Sequence, residues 1–151
     1  MKELQHICVA KLADTFIGFD VQTVRSVYEV SEVLPLPIQL HNIIGVFNRR
    51  GKVLSIVDSI KFCSLQSRQK KNQYYTLLHL ESNGNECCLT MDSVEEVKEV
   101  DRSTLREPPS GLNSALKKFC TSVLLDQGNR TIMILDFQHM FAELCKDEHL
   151  R

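Results

Sequence analysis

The chain has 151 residues, of which 43% are hydrophobic and 25% are charged. Its 18 basic and 19 acidic residues give a net charge of -1, which argues against a broad basic surface for nucleic acid. No apolar run approaches the roughly 20 residues that span a bilayer, and residues 1–6 have no apolar signal core, so a cytoplasmic protein without direct membrane insertion is expected.

Short runs rich in β-branched and apolar residues recur along the whole chain. Such spacing, with polar breaks between the runs, is typical of a barrel or a sandwich. The predicted strands are 7–12, 16–21, 24–30, 43–47, 53–57, 74–80, 87–91, 94–100, 123–125 and 131–135. Turn residues stand between several of them, at Ala13-Asp14, Arg50-Gly51, 82–85 and 127–129. Because these residue types accept tight or left-handed backbone, hairpins are expected to dominate.

Helix is predicted in two places. The first is near the end of the chain, where apolar residues recur at helical spacing behind Asp136 as N-cap. They are Phe137, Met140, Phe141 and Leu144. A shorter helix is expected after Asp58, and the polar stretch 64–73 that follows it is expected to be an exposed loop or a lobe boundary.

Cysteine and histidine residues give little support for chemistry. The six cysteines form no Cys-x-x-Cys pair and have mostly apolar neighbours, so they are interpreted as buried hydrophobic residues in a reducing compartment. Cys145 and His149 are the only closely spaced ligand pair, too few for a metal site. His79 is expected to be a partly buried strand residue. No catalytic motif is present, and we predict no enzyme activity, metal or cofactor.

An internal repeat organises the chain. Val24–Val30 recurs as 94–100, with four identities in seven residues and an offset of 70. A second match, in the same order, aligns 46–58 with 123–136, so that Asp58 and Asp136 correspond. Two colinear matches indicate duplication. The alignment places Val97 in a lobe core, where Val97→Asp is expected to unfold the protein.

The repeat predicts two small β-barrel lobes in one domain. Lobe one is expected at about 16–72 and lobe two at about 73–136, with 5–15 and 137–151 as a flanking strand and helix. Closing a small barrel hides sheet edges. Since neither lobe alone buries much core, the lobes are expected to pack together and leave a groove with an apolar floor.

The segment from Gly45 to Asp58 resembles the signature of CheW, the bacterial chemotaxis coupling protein family. The family pattern is Gly-Val-x-Asn-Leu-Arg-Gly followed by an apolar strand that ends in Asp, and here Gly45-Val46-Phe47-Asn48-Arg49-Arg50-Gly51 precedes the strand. The resemblance extends over about residues 5 to 145, through 16–21, 24–30 and 35–37 upstream and 91–97 and 132–141 downstream.

The resemblance implies an all-β fold of two intertwined five-stranded SH3-like barrel lobes with a short C-terminal helix. It implies a non-catalytic scaffold that couples transmembrane chemoreceptors to the histidine kinase CheA. The expected partners are the CheA regulatory domain, the cytoplasmic tip of methyl-accepting chemoreceptors and, as further candidates, other CheW-like proteins. Such a protein would be recruited to membrane-associated receptor arrays.

Eight residues are candidates for partner binding. Arg50 matches the family arginine, whose guanidinium would pair with a carboxylate or hold the turn through backbone carbonyls. Asn48 is expected to shape the turn, and Gly51 to supply positive φ. Arg49 replaces the usual leucine and is expected to be exposed, since an unpaired charge is costly to bury. The apolar candidates, for which core packing is the alternative, are Val24, Val27, Ile44 and Val46.

Three departures from the family pattern leave a second function open. Besides Arg49, a frequent glutamate is Ser26 here, and the second-lobe glycine that corresponds to Gly45 is Ser122. These departures suit a divergent CheW-like or SH3-like adaptor that binds another signalling kinase or a peptide, or that modifies the array. The lack of tryptophan and the presence of only three tyrosines argue against proline-rich ligands.

Overall fold

The computed structural model describes residues 3–66 and 74–148. Within this part all ten predicted strands are present, most of them longer by one to three residues. The strands are β1 Leu4–Leu12, β2 Thr15–Asp20, β3 Val24–Val30, β4 Ile43–Arg49, β5 Lys52–Val57, β6 Tyr75–Ser82, β7 Asn85–Met91, β8 Ser93–Asp101, β9 Cys120–Leu125 and β10 Thr131–Leu135. The helices are α1 Ser59–Phe62, α2 Ser114–Phe119 and α3 Phe137–Asp147, with 3-10 turns at Val21–Thr23 and Arg102–Thr104.

The strands form two five-stranded sheets, as expected for the two-lobed fold. Lobe one has the strand order β3-β6-β7-β5-β4, and lobe two has the order β8-β1-β2-β10-β9. Most neighbours are antiparallel, but β2 pairs with β10 and β5 pairs with β7 in parallel. Because parallel neighbours need a long connection, these two pairs join strands that are far apart in the sequence.

The predicted lobe bounds do not match the sheets. The hairpin β1–β2 belongs to lobe two, together with β8, β9 and β10, while β6–β7 belongs to lobe one. Each lobe therefore takes one hairpin from the other half of the chain. A division near residues 72 and 73 is too simple, since it places β2 in lobe one and β6–β7 in lobe two, and it leaves β1 as a flanking strand although β1 is part of the lobe-two sheet. The expected boundary loop lies mostly outside the described residues.

The repeat is visible in backbone contacts at aligned positions. Leu34 forms an isolated antiparallel bridge with Val46, and Arg106 forms one with Val123. Val46 and Val123 are the residues that the sequence alignment pairs. Asp58 and Asp136 likewise cap helices, through hydrogen bonds of 3.2 Å from the backbone N–H groups of Lys61 and His139. The two halves share one structural unit.

The position of Val97 contradicts the prediction. Its side chain is 57% exposed, and the aligned Val27 is 46% exposed. Side chains of a strand alternate between faces, so valines three residues apart cannot all face one core. Val100 is buried inside lobe two. Val94 packs against the central core instead, because the register of β8 shifts opposite Val9 and Ala10.

Three clusters of buried residues form the interior. One fills lobe two, including Ile7, Ile132 and Val100, and one fills lobe one, including Leu54, Ile56 and Leu77. The largest lies between the sheets and contains residues from both sheets and from all three helices, among them Phe19, Leu80, Phe62, Phe119 and Phe137. Much of the apolar floor expected for an open groove is therefore closed core.

The C-terminal helix begins after Asp136 and packs its predicted apolar side against the central core. Phe137, Met140 and Leu144 are buried, and Phe141 is half-buried against the central core. Sequence reasoning missed α2, which has only six residues and too short a periodic pattern. Asn113 caps it by accepting a 2.8 Å hydrogen bond from the backbone N–H of Leu116.

The cysteines are free, and all except the half-buried Cys145 are buried, as predicted. Burial raises the pKa of the Cys63 and Cys88 thiols to about 12, which makes them poor nucleophiles. His149 lies outside the described residues, so the pair with Cys145 is not described. Among the residues described, no group of three metal-ligating side chains comes together, and no helix has the length and apolar character to cross a membrane.

Candidate interaction surface at the first-lobe turn

The turn between β4 and β5 is a two-residue hairpin loop. Arg49 and Lys52 are the last paired residues, and between them Arg50 has φ 51° and Gly51 has φ 84°. Two consecutive positive φ values are those of a type I′ turn, whose twist suits a hairpin. The side chain of Asn48 accepts a 3.0 Å hydrogen bond from the backbone N–H of Gly51. Asn48 therefore shapes the turn and Gly51 supplies positive φ, as predicted.

Arg50 stands at the tip of this turn with its side chain exposed. Within the described part of the chain it forms no hydrogen bond or ion pair, so it does not hold the turn through backbone carbonyls. Its guanidinium group, with five N–H donors in a planar fork, is available to a partner.

Arg49 is exposed but ordered by an aromatic platform. Its guanidinium carbon lies 5.2 Å from the ring centroid of Tyr28 on β3. The Tyr28 ring packs against Phe47 at 5.2 Å and stacks on His79 at 6.1 Å between ring centres. Sequence reasoning missed Tyr28, because this contact depends on how β3 and β4, the two outer strands of the sheet, approach each other.

A buried histidine and a carboxylate lie beneath this platform. His79 is 8% exposed, and its Nε2 atom lies 3.6 Å from Glu86 Oε1. Burial is the larger influence and lowers the pKa of His79, against the opposite effect of Glu86, so the imidazole is neutral at pH 7. Lys52 Nζ approaches the same Glu86 oxygen at 2.7 Å. The charge of Lys52 is thus neutralised, whereas those of Arg49 and Arg50 are not.

Apolar side chains adjoin the turn on the outer face of the hairpin. Val53 pairs with Asn48 across the two strands and is 60% exposed, and the half-buried Val46 pairs with Ser55. Val53 was also missed, although the alternation of strand faces places it beside Asn48 once the two-residue turn fixes the register.

The remaining apolar candidates are not gathered on this surface. Ile44 is half-buried and packs against the interior of lobe one, and Val24 is half-buried against the central core. Val27 is exposed on β3, on the strand face opposite to that of Tyr28. The hairpin therefore brings together Val46, Asn48, Arg49, Arg50 and Gly51.

A close backbone approach covers the outer strand β4. A Cβ atom at Gly45 would lie 2.3 Å from the carbonyl oxygen of Leu34, which accepts a 2.8 Å hydrogen bond from the Val46 N–H. Only glycine permits this contact. Residues 34–42, the segment that precedes β4, are held at their C-terminal end by Glu148. Its carboxylate accepts hydrogen bonds from the backbone N–H groups of His41 and Asn42. The C-terminal end of α3 thus anchors the start of β4.

The corresponding turn of lobe two has a different charge balance. The carboxylate of Asp126 accepts a 2.8 Å hydrogen bond from Arg130 Nε, and Arg130 also lies 2.6 Å from Glu96. Lys98 approaches Asp126 at 3.3 Å. The hydrogen bond from Arg130 is the main reason that the pKa of Asp126 lies well below its usual range, and the contact with Lys98 acts in the same direction. Arg130 covers the ring of Phe16 at 4.9 Å, as Arg49 covers Tyr28, but its charge is paired.

Known proteins of one family are similar to this chain. A crystal structure of the scaffolding protein TtCheW from Thermoanaerobacter tengcongensis is similar with a TM-score of 0.75 and 23% identity, covering 90% of each chain. The chemotaxis protein CheW of Treponema pallidum is 20% identical over 137 residues, which are 87% of this chain and 79% of that protein. CheV3 of Helicobacter pylori is 23% identical over 87% of this chain but only 42% of its own length.

The sequence pattern that defines the CheW-like domain matches residues 6–145. This range includes all ten strands except the first residues of β1, and nearly all of the C-terminal helix. The turn at Arg50, the two exchanged hairpins and the final helix are therefore all within one family domain, and the chain belongs to the CheW-like family.

Proposed function

We propose that this chain is a non-catalytic chemotaxis adaptor that couples transmembrane chemoreceptors to the histidine kinase CheA. Its partners in this proposal are the regulatory domain of CheA and the cytoplasmic tip of the receptors, and its place in the cell is the receptor array. Membership of the CheW-like family over 6–145 supports the adaptor role.

The observation that carries the proposal is the unpaired Arg50 at a rigid, exposed turn. Asn48 and Gly51 fix the backbone of that turn, while the side chain of Arg50 has no partner among the described residues. Val46 and Val53 lie beside it on the same hairpin. A cation next to exposed apolar side chains suits recognition of a protein segment, because apolar contact adds affinity and charge adds specificity.

The substitution Arg50→Glu tests this assignment. We expect it to leave the fold intact and to weaken binding to a receptor cytoplasmic fragment or to the CheA regulatory domain by more than about tenfold, or roughly 1.4 kcal/mol. The dissociation constants are measured by calorimetry with the 151-residue chain. Lys117→Glu, which reverses an exposed charge on α2, is the control and should change neither constant.

Two results would count against the proposal. If wild-type protein binds neither the receptor fragment nor the CheA domain, the coupling function is wrong. If wild-type protein binds both and Arg50→Glu binds as tightly, Arg50 is idle and the partner surface lies elsewhere. Melting curves of each variant separate loss of binding from loss of structure.

A further inference from the structure

We infer that the first-lobe turn is a double-guanidinium site that selects a partner segment with two carboxylates beside apolar side chains, and that Arg49 is its second, specificity-determining cation. This inference rests on the proposed adaptor function and names the chemistry of the partner. It concerns a position at which the chain departs from the leucine of the family pattern.

Arg49 and Arg50 both carry a charge that no carboxylate among the described residues compensates. In the described regions neither Arg49 nor Arg50 lies within ion-pair distance of a carboxylate, whereas Lys52 contacts Glu86. At the lobe-two turn, Arg130 has two carboxylate partners, Asp126 and Glu96. Two consecutive uncompensated guanidinium groups thus lie at one turn of a molecule whose overall net charge is -1. A field of this kind attracts an acidic segment to one place.

The guanidinium group of Arg49 is held in place by an aromatic ring. Tyr28 holds the Arg49 guanidinium by a cation–π contact of 5.2 Å, and Tyr28 is itself fixed between Phe47 and His79. A cation–π contact orders the group and leaves its charge and its N–H donors free for a carboxylate. Because Arg49 is ordered before binding, less conformational entropy is lost when the partner arrives.

The neighbours of the two arginines restrict the class of partner. A guanidinium fork matches a carboxylate with two parallel hydrogen bonds, so two forks suit two carboxylates. Val53 and Val46 lie on the hairpin face of Asn48, opposite to that of Arg49, and add apolar contact beside the turn, which favours a short amphipathic segment of a protein. The partner that we assign to this turn is the helical tip of a chemoreceptor.

The experiment compares Arg49→Gln with wild type in binding to a receptor cytoplasmic fragment at about 0.05 and about 0.3 M NaCl. We expect about tenfold weaker binding by Arg49→Gln at low salt, and a smaller difference at high salt, where charges are screened. Lys117→Gln, on the exposed face of α2, is the matched control and should bind as wild type does.

A double-mutant cycle identifies the carboxylate. Each acidic residue of the receptor tip is changed to its amide, and the loss on combining that change with Arg49→Gln is compared with the sum of the single losses. For one carboxylate we expect the combined loss to be clearly smaller than the sum. Tyr28→Leu should reproduce part of the Arg49→Gln effect, since it removes the platform that orders Arg49.

The failure of this inference is distinct from the failure of the proposed function. If wild-type protein binds the receptor fragment and folded Arg49→Gln binds it equally well at both salt concentrations, the double-guanidinium site is wrong and the adaptor function stands. Tighter binding by Arg49→Leu would also overturn the site. If wild-type protein binds neither receptor nor CheA fragments, both proposals fall together.

Discussion

At the scale of single residues, Arg50 combines backbone strain with an unpaired charge. Its φ of 51° lies in the left-handed region, which costs an ordinary L-residue roughly 1–2 kcal/mol. The turn between β6 and β7 solves the same geometry with Asn83 at φ 54° and Gly84 at φ 81°, the pair that type I′ turns prefer. A strained residue at one turn and a relaxed one at the other is what the proposed role of Arg50 in partner binding would require.

Replacement of Arg50 by asparagine should separate stability from binding. We expect Arg50→Asn to raise the free energy of unfolding by about 1 kcal/mol, because asparagine accepts the left-handed backbone, and to raise Tm by a few degrees. The same variant should bind the receptor fragment less tightly than wild type. Asn83→Arg is the converse change and should lower Tm. A lower Tm for Arg50→Asn would show that the arginine stabilises its own turn.

The candidate site was predictable from sequence only as far as local geometry determines it. Asn48 and Gly51 followed from the chemistry of a tight turn, which involves four consecutive residues. The platform under Arg49 joins β3 to β4, which are separated by a long loop and lie at opposite edges of the sheet. The residue pattern of neither strand predicts that contact, because the contact depends on the curvature of the whole lobe.

At the scale of elements, β3 and β8 show that a sequence repeat can be identified correctly while the burial predicted from it is wrong. Both strands have valines at positions one, four and seven of the shared motif, and the spacing resembles a helix more than a strand. The strand period of two buries Val30 and Val100 but exposes Val27 and Val97. The structure assigns these two exposed valines to aligned places on outer strands.

Aspartate substitutions in β8 should therefore have unequal effects. Val97→Asp is expected to lower the free energy of unfolding by no more than about 1 kcal/mol, since the side chain stays in water. Val100→Asp places an unpaired charge in the lobe-two core, where Val100 is 4% exposed, and should cost at least about 3 kcal/mol. Denaturant titration of both variants measures the difference. Equal losses would contradict the observed orientation of β8.

At the scale of the whole molecule, the sequence predicted every strand and the two-lobed architecture, but not which strands share a sheet. Alternation and turn chemistry are local, and they locate β1 to β10 within a few residues. The pairing of β2 with β10 and of β5 with β7 joins distant segments in parallel. Duplication gives no preference between two separate lobes and two lobes that exchange hairpins, since both satisfy the same repeat.

The exchange of hairpins makes each half of the chain dependent on the other. Four strands of residues 1–70 lose a direct neighbour when the halves are separated: β1 loses β8, β2 loses β10, β3 loses β6 and β5 loses β7. Both lobe interiors and the central core draw residues from both halves. A half-chain would expose unpaired strand edges together with apolar surface, which a folded domain does not tolerate.

We therefore expect fragments 1–70 and 71–151 to be unfolded when alone and to assemble when mixed or co-expressed. The separate fragments should show no cooperative thermal transition, whereas the equimolar mixture should show one, with a midpoint that rises with concentration because folding is coupled to association. Circular dichroism and sedimentation measure both properties. Cooperative folding of 1–70 alone would mean that β1 to β5 close a lobe without β6 and β7, which is incompatible with the exchanged sheets.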